Sequence, residues 1–137
     1  MLVETILADQ KPENITVTSK KLTEAFLYLL DAEADEKIKV GNNYVVREDG
    51  AVKIFGGKHK LVEGRQDKDG SLSFEFRLMN AMAVSRVIAL KQIFKWKFDI
   101  ACGSQRLWII SDGKPQPLKR GHYSVAELEA ISIGTHH

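Results

Sequence analysis

Cysteine is nearly absent: Cys102 stands alone in 137 residues. A single thiol excludes an internal disulfide and leaves no cysteine cluster for zinc. The redox compartment it implies is a reducing one, so a cytoplasmic location is the expectation. Cys102 sits between Ala101 and Gly103 with no cation beside it in sequence. It therefore reads as a packed thiol and not as an activated nucleophile. Proline is scarce, with three residues, and no low-complexity stretch or long linker interrupts the chain. One domain over residues 1–133 is the expectation.

Long apolar runs are missing too. None approaches the roughly 20 residues that a bilayer-crossing helix needs. The opening Met1-Leu2-Val3-Glu4-Thr5-Ile6-Leu7 has no basic start and does not read as a signal peptide. The partner expectations therefore omit the membrane. Gly134-Thr135-His136-His137 reads as a cloning scar followed by the start of a polyhistidine tag, which leaves His59 and His122 as the histidines of interest.

Catalytic signatures are absent as well. There is no Gly-x-Ser-x-Gly elbow, no phosphate-binding Gly-x-x-x-x-Gly-Lys-Ser/Thr loop and no dinucleotide fingerprint. Asp67-Lys68-Asp69-Gly70 opens like a calcium loop but lacks the later ligands, so it reads as a turn. No catalytic residue, metal or cofactor is expected on these grounds.

What the chain does contain is segregated charge. Residues 1–36 hold three Lys/Arg against eight Asp/Glu. Residues 37–121 hold seventeen Lys/Arg against eight Asp/Glu. A basic middle can attract polyanions by neutralising phosphates and releasing counterions. The same lysines could equally be solvated tips that keep the surface wet. The acidic start can pack against the basic part or meet a basic partner.

Hydrophobic periodicity gives the elements. Leu22, Ala25, Phe26, Leu29 and Leu30 fall on one helical face, which predicts a helix over about residues 20–34 capped by Thr18 or Ser19. Ile15-Thr16-Val17-Thr18 before it reads as a short extended piece, and residues 1–14 are weakly patterned. From 38 to 78 the period is two. Glu48-Asp49-Gly50, Gly56-Gly57 and Asp67-Lys68-Asp69-Gly70 punctuate the run as turns of an antiparallel meander. Asn80 caps a second helix at about 81–95. Arg106–Ile110, Asp112-Gly113 and the proline-containing 115–118 form a hairpin. Ser124-Val125-Ala126-Glu127 is a capping box that opens a short last helix. The fold class is α+β: an antiparallel sheet with two main helices on one side and a short C-terminal helix.

Residues 44–94 carry a further pattern. Tyr44 and Val46 lead into Gly50 and Val52; Gly57-Lys58 is followed by Leu61; Lys68-Asp69-Gly70 opens a longer strand; and a helix reads Val84-Ser85-Arg86-Val87-Ile88-Ala89. This resembles the segment that precedes the catalytic motif in the HNH homing endonucleases of phage introns. Ser85 stands where that family has histidine, and Trp96-Lys97-Phe98-Asp99 where it has its Asp-His-x-Asp-Gly segment. The family's asparagine and last histidine have no counterpart. The resemblance therefore implies a phage or mobile-element scaffold that binds nucleic acid without cleaving it. Trp108-Ile109-Ile110-Ser111-Asp112-Gly113 and Tyr123–Leu128 are similar to its C-terminal DNA-contacting modules.

Two functions follow as expectations. In the first, a non-catalytic module binds duplex DNA or RNA, with Arg47, Lys53, Lys58, Lys60 and Arg65 on phosphates. Arg86 lies on an apolar helical stripe, where it must snorkel, pair or touch a ligand. In the second, a small phage protein binds and inhibits or redirects a host protein, with Trp96 and Trp108 as anchors. An enzyme assembled from scattered residues such as His59, Asp69 and His122 is a third, weaker possibility.

Overall fold

The computed structural model describes residues 1–134, so the scar-and-tag reading lies, from Thr135 on, outside the described residues. Four helices and nine strands follow one another: α1 Val3–Asp9, α2 Val17–Leu30, β1 Glu36–Val40, β2 Asn43–Glu48, β3 Ala51–Gly56, β4 His59–Gln66, β5 Leu72–Leu78, α3 Ala81–Phe94, β6 Ile100–Gly103, β7 Arg106–Ser111, β8 Lys114–Leu118, β9 Gly121–Ser124 and α4 Val125–Ser132. The α+β class and the antiparallel meander hold. The meander builds a six-stranded sheet in the order β1-β2-β3-β4-β5-β9, and β6-β7-β8 form a second, three-stranded sheet.

Several boundaries differ from the sequence reading, each for a local reason. Helix α2 starts at Val17 because Thr16, not Thr18 or Ser19, is the N-cap, accepting a hydrogen bond from the Ser19 amide at 3.1 Å. Val17 and Thr18 are consequently helical, and the cap overrides their β-branched preference. The weakly patterned N-terminus contains α1, whose Ile6 is fully buried. Beyond α1, a single 3-10 turn at Pro12–Asn14 leads into α2. The hairpin at 106–118 gains a third strand at Ile100–Gly103, and residues 121–124 return to the first sheet beside β5.

Turn chemistry matches where it was clearest. Asp49-Gly50 and Asp112-Gly113 each place both central residues at positive φ: 53° and 76° in the first, 52° and 75° in the second. That geometry is the type I′ turn whose twist suits a two-residue hairpin. The Ser124–Glu127 capping box is complete in both directions.

Strand alternation divides the six-stranded sheet into two faces. Val45, Val52, Ile54, Val62, Phe74 and Phe76 point to one of them and are buried there. Helices α2 and α3 cover that side, α2 over β1–β3 and α3 over β4 and β5. A single apolar cluster continues from there through Phe98, Ile100, Leu107 and Ile109 of the second sheet. No helix or strand packs over the opposite face of β2, β3 and β4 among the described residues.

Helix α2 presses closely on the sheet at Gly64, where a Cβ would lie 2.6 Å from Phe26 Cζ and 3.1 Å from Phe74 Cε1. Both rings are buried. Gly64→Ala should therefore overpack the α2–sheet contact and destabilise by about 1–3 kcal/mol. Urea unfolding followed by circular dichroism checks this; an unchanged midpoint would mean that α2 does not press on β4 there.

Candidate nucleic-acid interface

The uncovered face is defined by the residues that alternate with the core positions. Register pairs Lys39 with Tyr44, Tyr44 with Phe55, and Phe55 with Lys60. On the far side of the sheet Arg77 pairs with His122. Lys60, Arg77 and His122 line one depression of about 210 Å³ between β4 and β5. These six residues form one transverse row across all six strands; none of the six is a carboxylate, and Glu63 and Glu75 line the same depression beside it. At about 4.8 Å between strands the row is about 24 Å long.

The middle of the row is aromatic. The Tyr44 and Phe55 rings stack at 4.8 Å with their planes 9° apart. Lys37 Nζ lies 4.2 Å from the Tyr44 ring centroid, a cation–π contact on the same face. Neither aromatic was among the expected site residues. Their signal was the position of Tyr44 and Phe55 on the polar phase of the alternation, where a large ring has no core to enter.

Carboxylates occupy the neighbouring rows and are largely matched. Lys53 binds Glu48 at 2.9 Å, and Lys60 binds Glu63 at 2.8 Å. The Lys60 hydrogen bond, with help from Lys53 and Arg65, lowers the pKa of Glu63 against the opposing effect of burial. Arg65 donates to the Asp49 carbonyl at 3.2 Å and stands 4.0 Å from Glu63. Altogether the face presents Lys37, Lys39, Lys53, Lys60, Arg65 and Arg77 against Glu48, Glu63 and Glu75. Basic excess therefore remains after pairing.

The expected site residues separate into groups. Lys53, Lys60 and Arg65 share the uncovered face, and exposed Lys58 stands at the β3–β4 turn beside it. Arg47 lies on the opposite phase of β2. Its guanidinium donates to the carbonyls of Leu29 and Leu30 at 2.9 and 3.4 Å, satisfying the C-terminal end of α2. Arg86 is 6% exposed and donates to Ser19 Oγ at 2.8 Å. Ser19 Oγ in turn lies 2.7 Å from Ser85 Oγ. No carboxylate is within ion-pair distance of Arg86 among the described residues, and burial lowers its pKa. Arg86 Nε and Thr23 Oγ1 lack a hydrogen-bond partner among them. Arg47 thus caps the end of α2 and Arg86 occupies a buried hydroxyl site, and neither belongs to the basic face.

The two tryptophans are apart from this face and from each other. Trp96 packs on Phe74 at 4.8 Å and on Phe94 at 5.5 Å, and lines a depression of about 420 Å³ with Val125 and Glu129. Trp108 donates its indole N–H to the Gly103 carbonyl at 3.2 Å, and Arg106 lies 6.0 Å from its ring. Of the groups weighed for scattered catalysis, Asp69 belongs to a turn: Ser71 donates to its carboxylate from both hydroxyl and amide, which lowers its pKa. Among the described residues no group of three or more His, Cys, Asp or Glu converges as a metal site. No helix among them is long and apolar enough to cross a membrane.

The class of the molecule at this point is an α+β protein with one helix-covered and one open face on an antiparallel sheet. No family model, curated protein or solved structure matches the chain.

Arg86 offers a direct test of which cations are structural. A buried charge without a partner carboxylate costs desolvation that no ion pair offsets. Arg86→Met should therefore leave stability unchanged or raise it, whereas Ser19→Ala, which removes the guanidinium's acceptor, should cost about 1–3 kcal/mol. Paired urea melts of the two variants read this out. A large loss in Arg86→Met with none in Ser19→Ala would reverse the assignment.

Proposed function

We propose that the chain is a nucleic-acid-binding module that takes a single strand across the uncovered face of its six-stranded sheet. The observation that carries this reading is the acid-free row Lys39–Tyr44–Phe55–Lys60 continued by Arg77–His122. Single strands are held by a basic groove that follows the backbone and by aromatic rings on which bases stack. Here the stacked Tyr44–Phe55 pair is the platform, and the cations at either side of it meet phosphates. Lys53, Arg65 and Lys58 contribute the more diffuse positive field. The reading is binding without cleavage. The phage or mobile-element origin implied by the resemblance of residues 44–94 fits such a role and remains part of the proposal.

An open sheet face with stacked rings also favours single strands over duplex in this reading. Stacking needs unpaired bases whose faces are free, and a duplex offers only its phosphates and groove edges to such a surface. Of the cations expected on phosphates, Arg47 is engaged with the end of α2, while Arg86, left open between a ligand and an internal partner, is buried on Ser19.

A second reading, a host-protein partner, draws on the depression at Trp96, Phe94 and Val125. It predicts that Trp96→Ala, and not a change on the open face, removes any stoichiometric partner recovered from host lysate.

Fluorescence anisotropy with a labelled oligothymidylate tests the first reading. Binding should weaken linearly in the logarithm of salt concentration, by about 0.7 in slope for each phosphate neutralised. Removing one platform ring, Tyr44→Ala or Phe55→Ala, should weaken binding by about 1–3 kcal/mol. Arg86→Met should leave it unchanged. Absence of binding at low salt, or full affinity after loss of both rings, would sink the reading.

A further inference from the structure

One end of the row is built differently from the other. Arg77 Nη1 lies 3.3 Å from His59 Nδ1, and His122 stands directly opposite Arg77 on β9. Arg77 is half-buried, whereas both imidazoles are exposed. No carboxylate lies within ion-pair distance of Arg77 among the described residues. Every other basic residue on β3 and β4 of this face has one: Lys53 has Glu48, and Lys60 and Arg65 have Glu63. A planar guanidinium thus has its charge uncommitted between two depressions that it lines on both sides, one of about 210 Å³ lined also by His122 and one of about 250 Å³ lined also by His59.

We propose that Arg77, His59 and His122 form a subsite for a phosphate group. This rests on the nucleic-acid reading for its natural ligand, a backbone or terminal phosphate of the bound strand, but the same chemistry would take a free phosphate. Guanidinium matches two phosphate oxygens at once, which a lysine cannot do. Imidazole N–H groups supply further donors, and a protonated imidazole adds charge.

Proton linkage follows from the geometry. The guanidinium has only N–H groups to offer, so in its contact with His59 it is the donor and Nδ1 the acceptor. A phosphate bridging the groups rewards protonation of both rings, so binding takes up protons. The charged neighbours are few. From β4 they are Lys60 and Glu63, already paired with each other, and from β5 Glu75. Lys58 precedes His59 in the turn, and Arg120, which donates to the Gln105 carbonyl, precedes β9. Glu75 alone opposes an anion without a matched cation, and Arg77 on the same strand offsets it. Histidine is the side chain that changes charge between about pH 5 and 8, so affinity for phosphate should rise as pH falls through that window. One proton taken up gives at most about a tenfold gain per pH unit.

Nuclear magnetic resonance of the assigned His59 and His122 rings, titrated in pH with and without ligand, tests this on the full chain. Inorganic phosphate is one ligand and the oligothymidylate the other. Both should move the titration midpoints of the two rings upward. In parallel, oligonucleotide affinity should tighten on the order of tenfold between about pH 8 and pH 6. That dependence should flatten in the His59→Gln/His122→Gln double variant, and Arg77→Gln should weaken binding at both pH values. If the oligonucleotide binds but neither midpoint moves and the double variant keeps the pH dependence, the subsite is wrong while the nucleic-acid reading stands. If inorganic phosphate moves the midpoints but the oligonucleotide does not bind, the subsite stands for a small phosphate ligand and the nucleic-acid reading falls. If neither ligand moves either ring, the subsite is overturned.

Discussion

The two-residue alternation of an antiparallel sheet is the constraint on which the molecule depends. One phase of each strand from β3 to β5 is mainly apolar and, together with Val45 of β2, is buried by α2 and α3. The other phase is therefore committed to a surface, because one-residue slippage would drive charged residues into the core. The β-bulge near Ile54 and Phe55 is accommodated inside this rule: Leu61 and Val62 are both buried, yet Phe55 still pairs with Lys60 on the open side. The row of aromatic and basic residues is thus fixed in position by the packing of the opposite face. It exists because the core exists.

Much of the fold was legible in the chain because the signals were local. Asp-Gly turns, the Asn80 cap and the Ser124–Glu127 capping box each act within four residues, and the structure has all of them. Strands β6 and β9 were not anticipated, since each is only four residues long, and β9 is stabilised by pairing with β5, which is distant in sequence. Helix α1 was missed for a related reason. It is seven residues long and held by tertiary contacts, with Gln10 after it donating to the Ile100 carbonyl at 2.6 Å and Gln92 donating to the Gln10 carbonyl. Helices that short gain little from propensity alone.

The candidate site was less legible than the fold. Charge counting found the basic middle of the chain but could not assign faces within it. Arg47 and Lys53 belong to paired strands, and Arg47 points to the helix side while Lys53 points to the open side. Arg86 was rightly singled out as a cation on an apolar stripe, and its place proved to be a buried hydroxyl cluster contributed by α2 and α3. Tyr44 and Phe55 were seen only as strand residues. What distinguishes them is membership of the polar phase, which becomes visible only when the phase of every neighbouring strand is known.

The charge segregation along the chain does not become an acidic back to the sheet. Helix α2 covers the apolar face, and its exposed side carries Lys20 and Lys21 as well as Glu24, with Asp31 at its end. The two signs are balanced there, so what sets the open face apart is not repulsion from behind but the aromatic pair and the basic residues gathered on one phase of the strands. Tyr44 and Phe55 stack on the same phase as Lys53 and Lys60, so the alternation that buries the core also sets rings and cations side by side.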